Sequence, residues 1–290
     1  KIDFDIIVPV IDKKQNMNTR SMTLVPNIPS GDSNAFDSES LNSPITEWCN
    51  KTRRELQAEP VEELESPTAT EYIMVFDTET TGFIPKDTKD LDLFPYITQL
   101  SFLVFDIYSQ SVVKCYNQYI NIPSHVDITP FITELTGVTR EKCDNGVPII
   151  DALHQFYTAY MSVQSIVAHN LAFDIKMIEI EIQRNHNDIL SVNLDICFLF
   201  DDSLRQIERF CTMNMGKPVC NIVIPRRTPS GMLMPETYVK VPKLSELYEK
   251  IFGCGFINGH DALADSLACL RCFVSMYYGY YLDETIMETK

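Results

Sequence analysis

The apolar run YIMVF, residues 72–76, ends on a carboxylate, Asp77, and a second, Glu79, follows two residues later. A continuous apolar run of this length reads as a buried strand. Residues i and i+2 of a strand point to one face, so the chain must hold two acids side by side where a buried strand ends. Like charges so placed repel, and a hard divalent cation with oxygen ligands suits such a pair. TQLSFLVFDI and SVVKCYNQYI follow, rich in β-branched and aromatic residues, and read as a hairpin beside the first strand. VPIIDALHQFYTAYM has helical spacing, and SIVAHN is a short strand running into a helix, LAFDIKMIEIEIQRN. VNLDICFLF reads as a fifth strand, with helices at DDSLRQIERFCTM, KLSELYEKIFG and GHDALADSLACLRCFVSMYYGYY. This order implies an α/β fold, a mixed five-stranded sheet flanked by helices, with later strands delivered by helical crossovers.

Three further residues can join the first acid pair. Asp174, in AHNLAFD, falls on the first turn of a helix just after the fourth strand. A carboxylate there gains from the helix N-terminus and can aim back at the sheet end. His260 and Asp265 stand five apart in GHDALADS. With a helix beginning near Asn258, Asp265 lies well inside it among Ala262, Ala268 and Cys269, a costly place for an unpartnered charge. His260 then lies about one turn earlier, near the helix N-terminus, which favours the neutral imidazole that a general base needs. Asp261 is the competing acid, with its side chain roughly 100° round the helix. Taken singly, each has a plain alternative: an exposed acidic strand, a helix-start aspartate, a helix-cap histidine.

FDTETTGF, AHNLAFD and HDALAD, in this order and at these separations, resemble the ExoI, ExoII and ExoIII motifs of the DnaQ-like DEDDh exonucleases. ELTGVT at 134–139 and KLSELYEKIFG before the third motif are also similar to that family, and the resemblance runs from about Tyr72 to Tyr281. It implies a ribonuclease H-like fold, 3′–5′ exonuclease activity and two divalent ions, Mg2+ or Mn2+. By the same resemblance Asp77, Glu79, Asp174 and Asp265 are metal ligands and His260 the proton acceptor. Thr80 matches a contact to the terminal nucleotide, and Phe83, where the family usually has Leu, a surface for the terminal base. Phe173 matches an aromatic that wedges against the penultimate base. Thr136 stands where some relatives have a histidine wedge. His169 and Asn170 are candidates for phosphate contact or for strand-end hydrogen bonding, and Asp195 reads as structural. The substrate expected is a 3′ end of DNA, single-stranded or frayed, of proofreading or repair type. RNA trimming is the alternative, and an inactive nucleic-acid- or partner-binding scaffold is the reading from another class.

The formal net charge is −16, which argues against a protein that coats nucleic acid. An enzyme gripping a few nucleotides through metals and a small basic patch escapes that objection. Residues 205–243 read as such a patch, a basic insertion with seven Lys or Arg against two Glu. Its RRTPSGM segment reads as an exposed hairpin in which Arg226 and Arg227 guide a single strand. Residues 1–66 carry 12 acidic and 7 basic residues and read as an acidic, largely disordered arm before a domain at 67–290. That arm is a candidate for recruiting a polymerase or clamp. DLDLF at 90–94 loosely resembles a clamp-binding pentapeptide. Nine cysteines, most in apolar runs, suit reduced thiols in an intracellular, cytoplasmic or nuclear compartment. Cys269 and Cys272 read as packing residues inside a helix rather than zinc ligands. No signal peptide or membrane span is expected.

Overall fold

A computed structural model describes residues 70–287, apart from 87, 89, 193–195, 198, 229 and 257–258. The arm expected at 1–66 and Asp195 therefore lie outside the described residues.

The strands β1 (Tyr72–Thr80), β2 (Ile97–Asp106) and β3 (Ser111–Tyr119) come first, then the helices α1 (Pro130–Thr136), α2 (Arg140–Asp144) and α3 (Ile149–Ser162). Next are β4 (Ser165–Ala168), α4 (Leu171–Arg184), α5 (His186–Ser191), β5 (Glu208–Cys211) and α6 (Thr212–Cys220). A hairpin of β6 (Val223–Arg227) and β7 (Leu233–Val239) leads into α7 (Leu244–Phe252) and α8 (Ala262–Tyr278). The sheet runs β3-β2-β1-β4-β5. β1 pairs antiparallel with β2 and parallel with β4, so the first acid-bearing strand is central. Every residue of β2 is buried, as expected of a strand covered on both faces.

Alternation along β1 sends its side chains into two cores. Met74 and Phe76 pack with Phe156, Tyr160, Met177 and Ile178 from α3 and α4. Ile73 and Val75 pack with Leu247 and Tyr248 of α7 and with Ala268, Cys269 and Phe273 of α8. Small residues on α8 let its axis approach the sheet, and Cys269 and Cys272 are buried free thiols within this contact. No described helix is long and apolar enough to cross a membrane.

The structure corrects three expectations. The fifth strand is Glu208–Cys211, not VNLDICFLF, and it pairs parallel with β4. Ile196 and Leu199 serve the core from turns instead, with the Leu199 N–H donating to the Ile196 carbonyl at 3.1 Å. The helix read over 201–213 starts only at Thr212. Residues 205–243 are not one insertion, because β5 and α6 belong to the sheet and its cover and only the β6–β7 hairpin forms a separate two-stranded sheet. The basic count of that stretch is partly spent inside the fold. Arg205 donates to the carbonyls of Tyr160 and Val163, Arg209 to Asp202, and Lys240 pairs with Glu246. DLDLF is a folded turn: Asp90 caps the 3-10 segment Leu91–Leu93, and Arg184 donates to the carbonyls of Leu91, Phe94 and Pro95. With Leu91 and Phe94 packed on the core, Leu93 is left exposed.

Candidate active site

Asp77 and Glu79 end β1 on the face that α8 covers. One oxygen from each of Asp77, Glu79 and Asp265 lies within 4.8 Å of the others. Asp174 reaches the same strand end from the opposite face. Its Oδ1 accepts from the Thr78 N–H at 3.1 Å and from the Thr78 hydroxyl at 2.8 Å. The order D-T-E therefore has a geometric reason: its acids face α8 while the threonine between them faces α4 and grips Asp174.

Burial first, and neighbouring carboxylates second, hold these acids above their ordinary range. Asp77 is raised well above it and Glu79 to about 8. Burial raises Asp174 to about 7 despite the Thr78 bonds, and Asp265 to about 6 despite a bond from the His260 N–H. That N–H donates to Asp265 Oδ2 at 3.2 Å, while the buried Asp265 Oδ1 has no hydrogen-bond partner among the described residues. Three converging carboxylates, one with an orphaned buried oxygen, fit a divalent cation by donor type and by charge. A cation would remove both the desolvation and the repulsion that raise these groups.

The start of α8 differs from expectation. The helix begins at Ala262, and Asp261 is its N-cap, accepting from the N–H groups of Leu263 and Ala264 at 3.2 and 3.1 Å. His260 therefore lies outside the helix. It is exposed and left-handed, with φ 71°, a conformation costly for a residue with a Cβ. Gln99, buried opposite Glu79 on β2, donates to Asp261 Oδ2 at 3.0 Å and to Asn117 at 2.9 Å. It thereby ties the head of α8 to the sheet. Thr78 and Gln99 are functional candidates that the sequence reading missed. Their signal is only a polar residue within an apolar strand, and their partners emerge once register is known.

The other expected contacts divide. Phe83 is 80% exposed just past β1, free to meet a ligand. Asn170 is exposed and left-handed at the head of α4. Phe173, beside Asp174, is half-buried against the first core. The Thr80 hydroxyl donates to the Gly82 carbonyl at 2.7 Å. Thr136 is buried, its hydroxyl donating to Ile132 O at 2.9 Å and accepting from the Val138 N–H at 3.1 Å, so it serves local structure. His169 has both ring nitrogens engaged, Nδ1 at 3.0 Å from the Thr212 hydroxyl and Nε2 at 3.2 Å from the Pro242 carbonyl. Burial lowers it to about 4, so a neutral ring donates from Nε2 and accepts at Nδ1, leaving no donor for a phosphate. Arg226 and Arg227 are exposed on the hairpin.

Residues 74–273 match the exonuclease family RNase_T. DNA polymerase III PolC-type of Clostridium perfringens is 28% identical over 198 residues, 68% of this chain and 10% of that protein. The PolC-type enzyme of Streptococcus pneumoniae serotype 2 is 30% identical over 112 residues, 39% of this chain and 7% of its own length. The chain thus spans a tenth or less of the length of these curated relatives. A product-bound exonuclease I superposes with TM-score 0.50 at 14% identity over 73% of this chain and 45% of that one. The nuclease domain of 3′hExo, a DEDDh family member bound to rAMP, superposes with TM-score 0.49 at 18% identity over 74% and 95%. The fold is ribonuclease H-like. Residues 74–273 carry the family's match across both the acid-bearing strand and α8, and the chain belongs to the RNase_T exonuclease family.

Proposed function

We propose that the chain releases nucleoside 5′-monophosphates from the 3′ end of DNA, at single-stranded or frayed ends, using two divalent ions, Mg2+ or Mn2+. The observation that supports this reading is the convergence of Asp77, Glu79 and Asp265, with Asp174 held at the same strand end. DNA is favoured because the PolC-type relatives are DNA polymerases by name. To residues 1–66 we assign the recruitment of a polymerase for proofreading.

Asp77, Glu79 and Asp265 would hold one ion, and Asp77 with Asp174 the other. Ions so held supply charge stabilisation to the phosphodiester and lower the pKa of an attacking water. The His260 imidazole, exposed beside the cluster, takes the proton from that water. Its backbone N–H on Asp265 anchors the His260 main chain next to that acid. The Phe83 ring offers an apolar face to the terminal base, Phe173 borders the next nucleotide, and Thr80 contributes backbone contacts, as Asn170 does toward phosphate. Arg226 and Arg227 draw the strand in by charge.

Matched single-stranded DNA and RNA, labelled at the 5′ end, test the substrate. The expected result is faster shortening of DNA; faster shortening of RNA would replace proofreading with RNA processing. Pull-down of a polymerase with and without residues 1–66 tests recruitment, and equal recovery would remove the arm from it.

A further inference from the structure

The β6–β7 hairpin bears a hollow of about 490 Å³, lined among others by Ile224, Met234, Arg226, Arg227, Glu236 and Tyr238. We propose that this hollow is a second binding site for single-stranded nucleic acid, where a base stacks on Tyr238 and Arg226 and Arg227 take the phosphates beyond it. The proposal rests on the reading above that the substrate is a nucleic-acid strand, and it extends that substrate's path away from the acids.

Four observations support it. Tyr238 is 44% exposed, and the Arg226 guanidinium lies 5.8 Å over its ring, so an aromatic face and a cation already share one surface. An aromatic platform beside a basic groove is how single strands are held without sequence preference. Secondly, on a chain of net charge −16 neither arginine forms an ion pair among the described residues, whereas Arg209 and Lys240 of the same stretch do; Arg227 donates to the Gly231 carbonyl at 3.0 Å and keeps its charge unneutralised. The hairpin is also rooted at the reacting end of the sheet. Its exit at Pro242 accepts from His169, which follows β4 and leads into the helix that carries Asp174. Finally, the Ile224–Tyr238 rung lies toward that root and the Arg227–Leu233 rung toward the tip. Three residues of strand separate them, roughly 10 Å, about the rise of three stacked nucleotides. A strand whose 3′ end sits at the acids can meet the aromatic first and the arginines next.

Glu236 opposes phosphate in this hollow, which gives the proposal a sign as well as a place. The exposed Met232 and Leu233 near the tip offer a protein surface instead, but they leave the aromatic and the cations without a role.

The test uses the full chain carrying Asp77→Asn, which does not consume its ligand. It measures affinity for a deoxythymidine dinucleotide and a twelve-mer, and then places 2-aminopurine at successive positions of the twelve-mer. Tyr238→Ala is expected to lower the twelve-mer to dinucleotide affinity ratio about tenfold, within what stacking of one base supplies. It should also abolish fluorescence quenching at one internal position. Tyr238→Phe should retain both, and Glu236→Gln should tighten the twelve-mer. An unchanged ratio in Tyr238→Ala, or a Tyr238→Phe as weak as the alanine, would overturn the proposal. Length-independent binding by the parent would assign the tip to a protein partner and overturn it too. If Asp77-containing protein hydrolyses DNA while the ratio stays fixed, the hairpin site alone fails. If it neither binds nor hydrolyses a strand of either length, the substrate reading fails with it.

Discussion

Asp174 is gripped at one oxygen by two donors of a single residue, the N–H and the hydroxyl of Thr78. Thr78→Val keeps the shape of the side chain and removes the hydroxyl. The loss of a buried bond to a charged group costs about 1–3 kcal/mol. On the proposed role of Asp174 as a metal ligand, the change loosens that ligand rather than a substrate contact, so kcat should fall at least about tenfold with little change in KM; steady-state kinetics and urea melts measure both. His260 gives the complementary case. Its left-handed backbone suits glycine, so His260→Gly removes the imidazole without straining the turn. A loss of about 10²–10⁴-fold in kcat is expected, with partial recovery on adding imidazole and an unchanged melting temperature. Full activity in that variant would dismiss His260 as the base. The convergence of Asp77, Glu79 and Asp265 was legible in the sequence because a cation site calls for carboxylates at such separations. Thr78 and Gln99 were not, because a polar residue in an apolar strand names no partner until register brings one opposite.

At the scale of the element, the head of α8 decides the site, since Asp261 stands next to His260 and in the same turn as Asp265. Asp261→Ala removes an N-cap, worth about 0.5–2 kcal/mol, and leaves the buried Gln99 amide with Asn117 alone as its acceptor. Stability and kcat should fall together, and Gln99→Met should cost less in that background than alone, because the two residues share one bond while Gln99 keeps its own with Asn117. Additive losses would show that they act separately. The elements were read unevenly. β1, β2, β3 and α4 carry long patterns that periodicity exposes. β5 has four residues, two of them the exposed Glu208 and Arg209, too short to compete with the apolar run at 192–200. The basic stretch looked like one surface because sequence counts charges without showing which ones carbonyls and carboxylates already hold, as they do Arg205 and Lys240.

At the scale of the whole molecule, the cluster sets how stability responds to pH and metal. The folded acids bind protons up to about 6 to 8, where the unfolded chain releases them near 4. The metal-free fold therefore holds more protons than the unfolded chain across that window, and its stability falls as pH rises from about 4 to 8. A divalent ion should restore stability most at pH 8 and least near pH 5, read as the melting-temperature difference between Mg2+ and EDTA. His169, lowered to about 4, tilts stability the opposite way on the acid side, but it contributes equally with and without metal and cancels in the difference. A metal effect of equal size at both pH values would deny that the ion replaces protons at these acids.

The most direct measurement compares the parent and Asp77→Asn on 5′-labelled single-stranded DNA, with Mg2+, with Mn2+ and with EDTA. The account predicts a ladder shortening from the 3′ end that needs metal and is lost in the variant, whose metal-free melting temperature is no lower than the parent's. A ladder that survives in EDTA, or that persists in a folded Asp77→Asn protein, would contradict it.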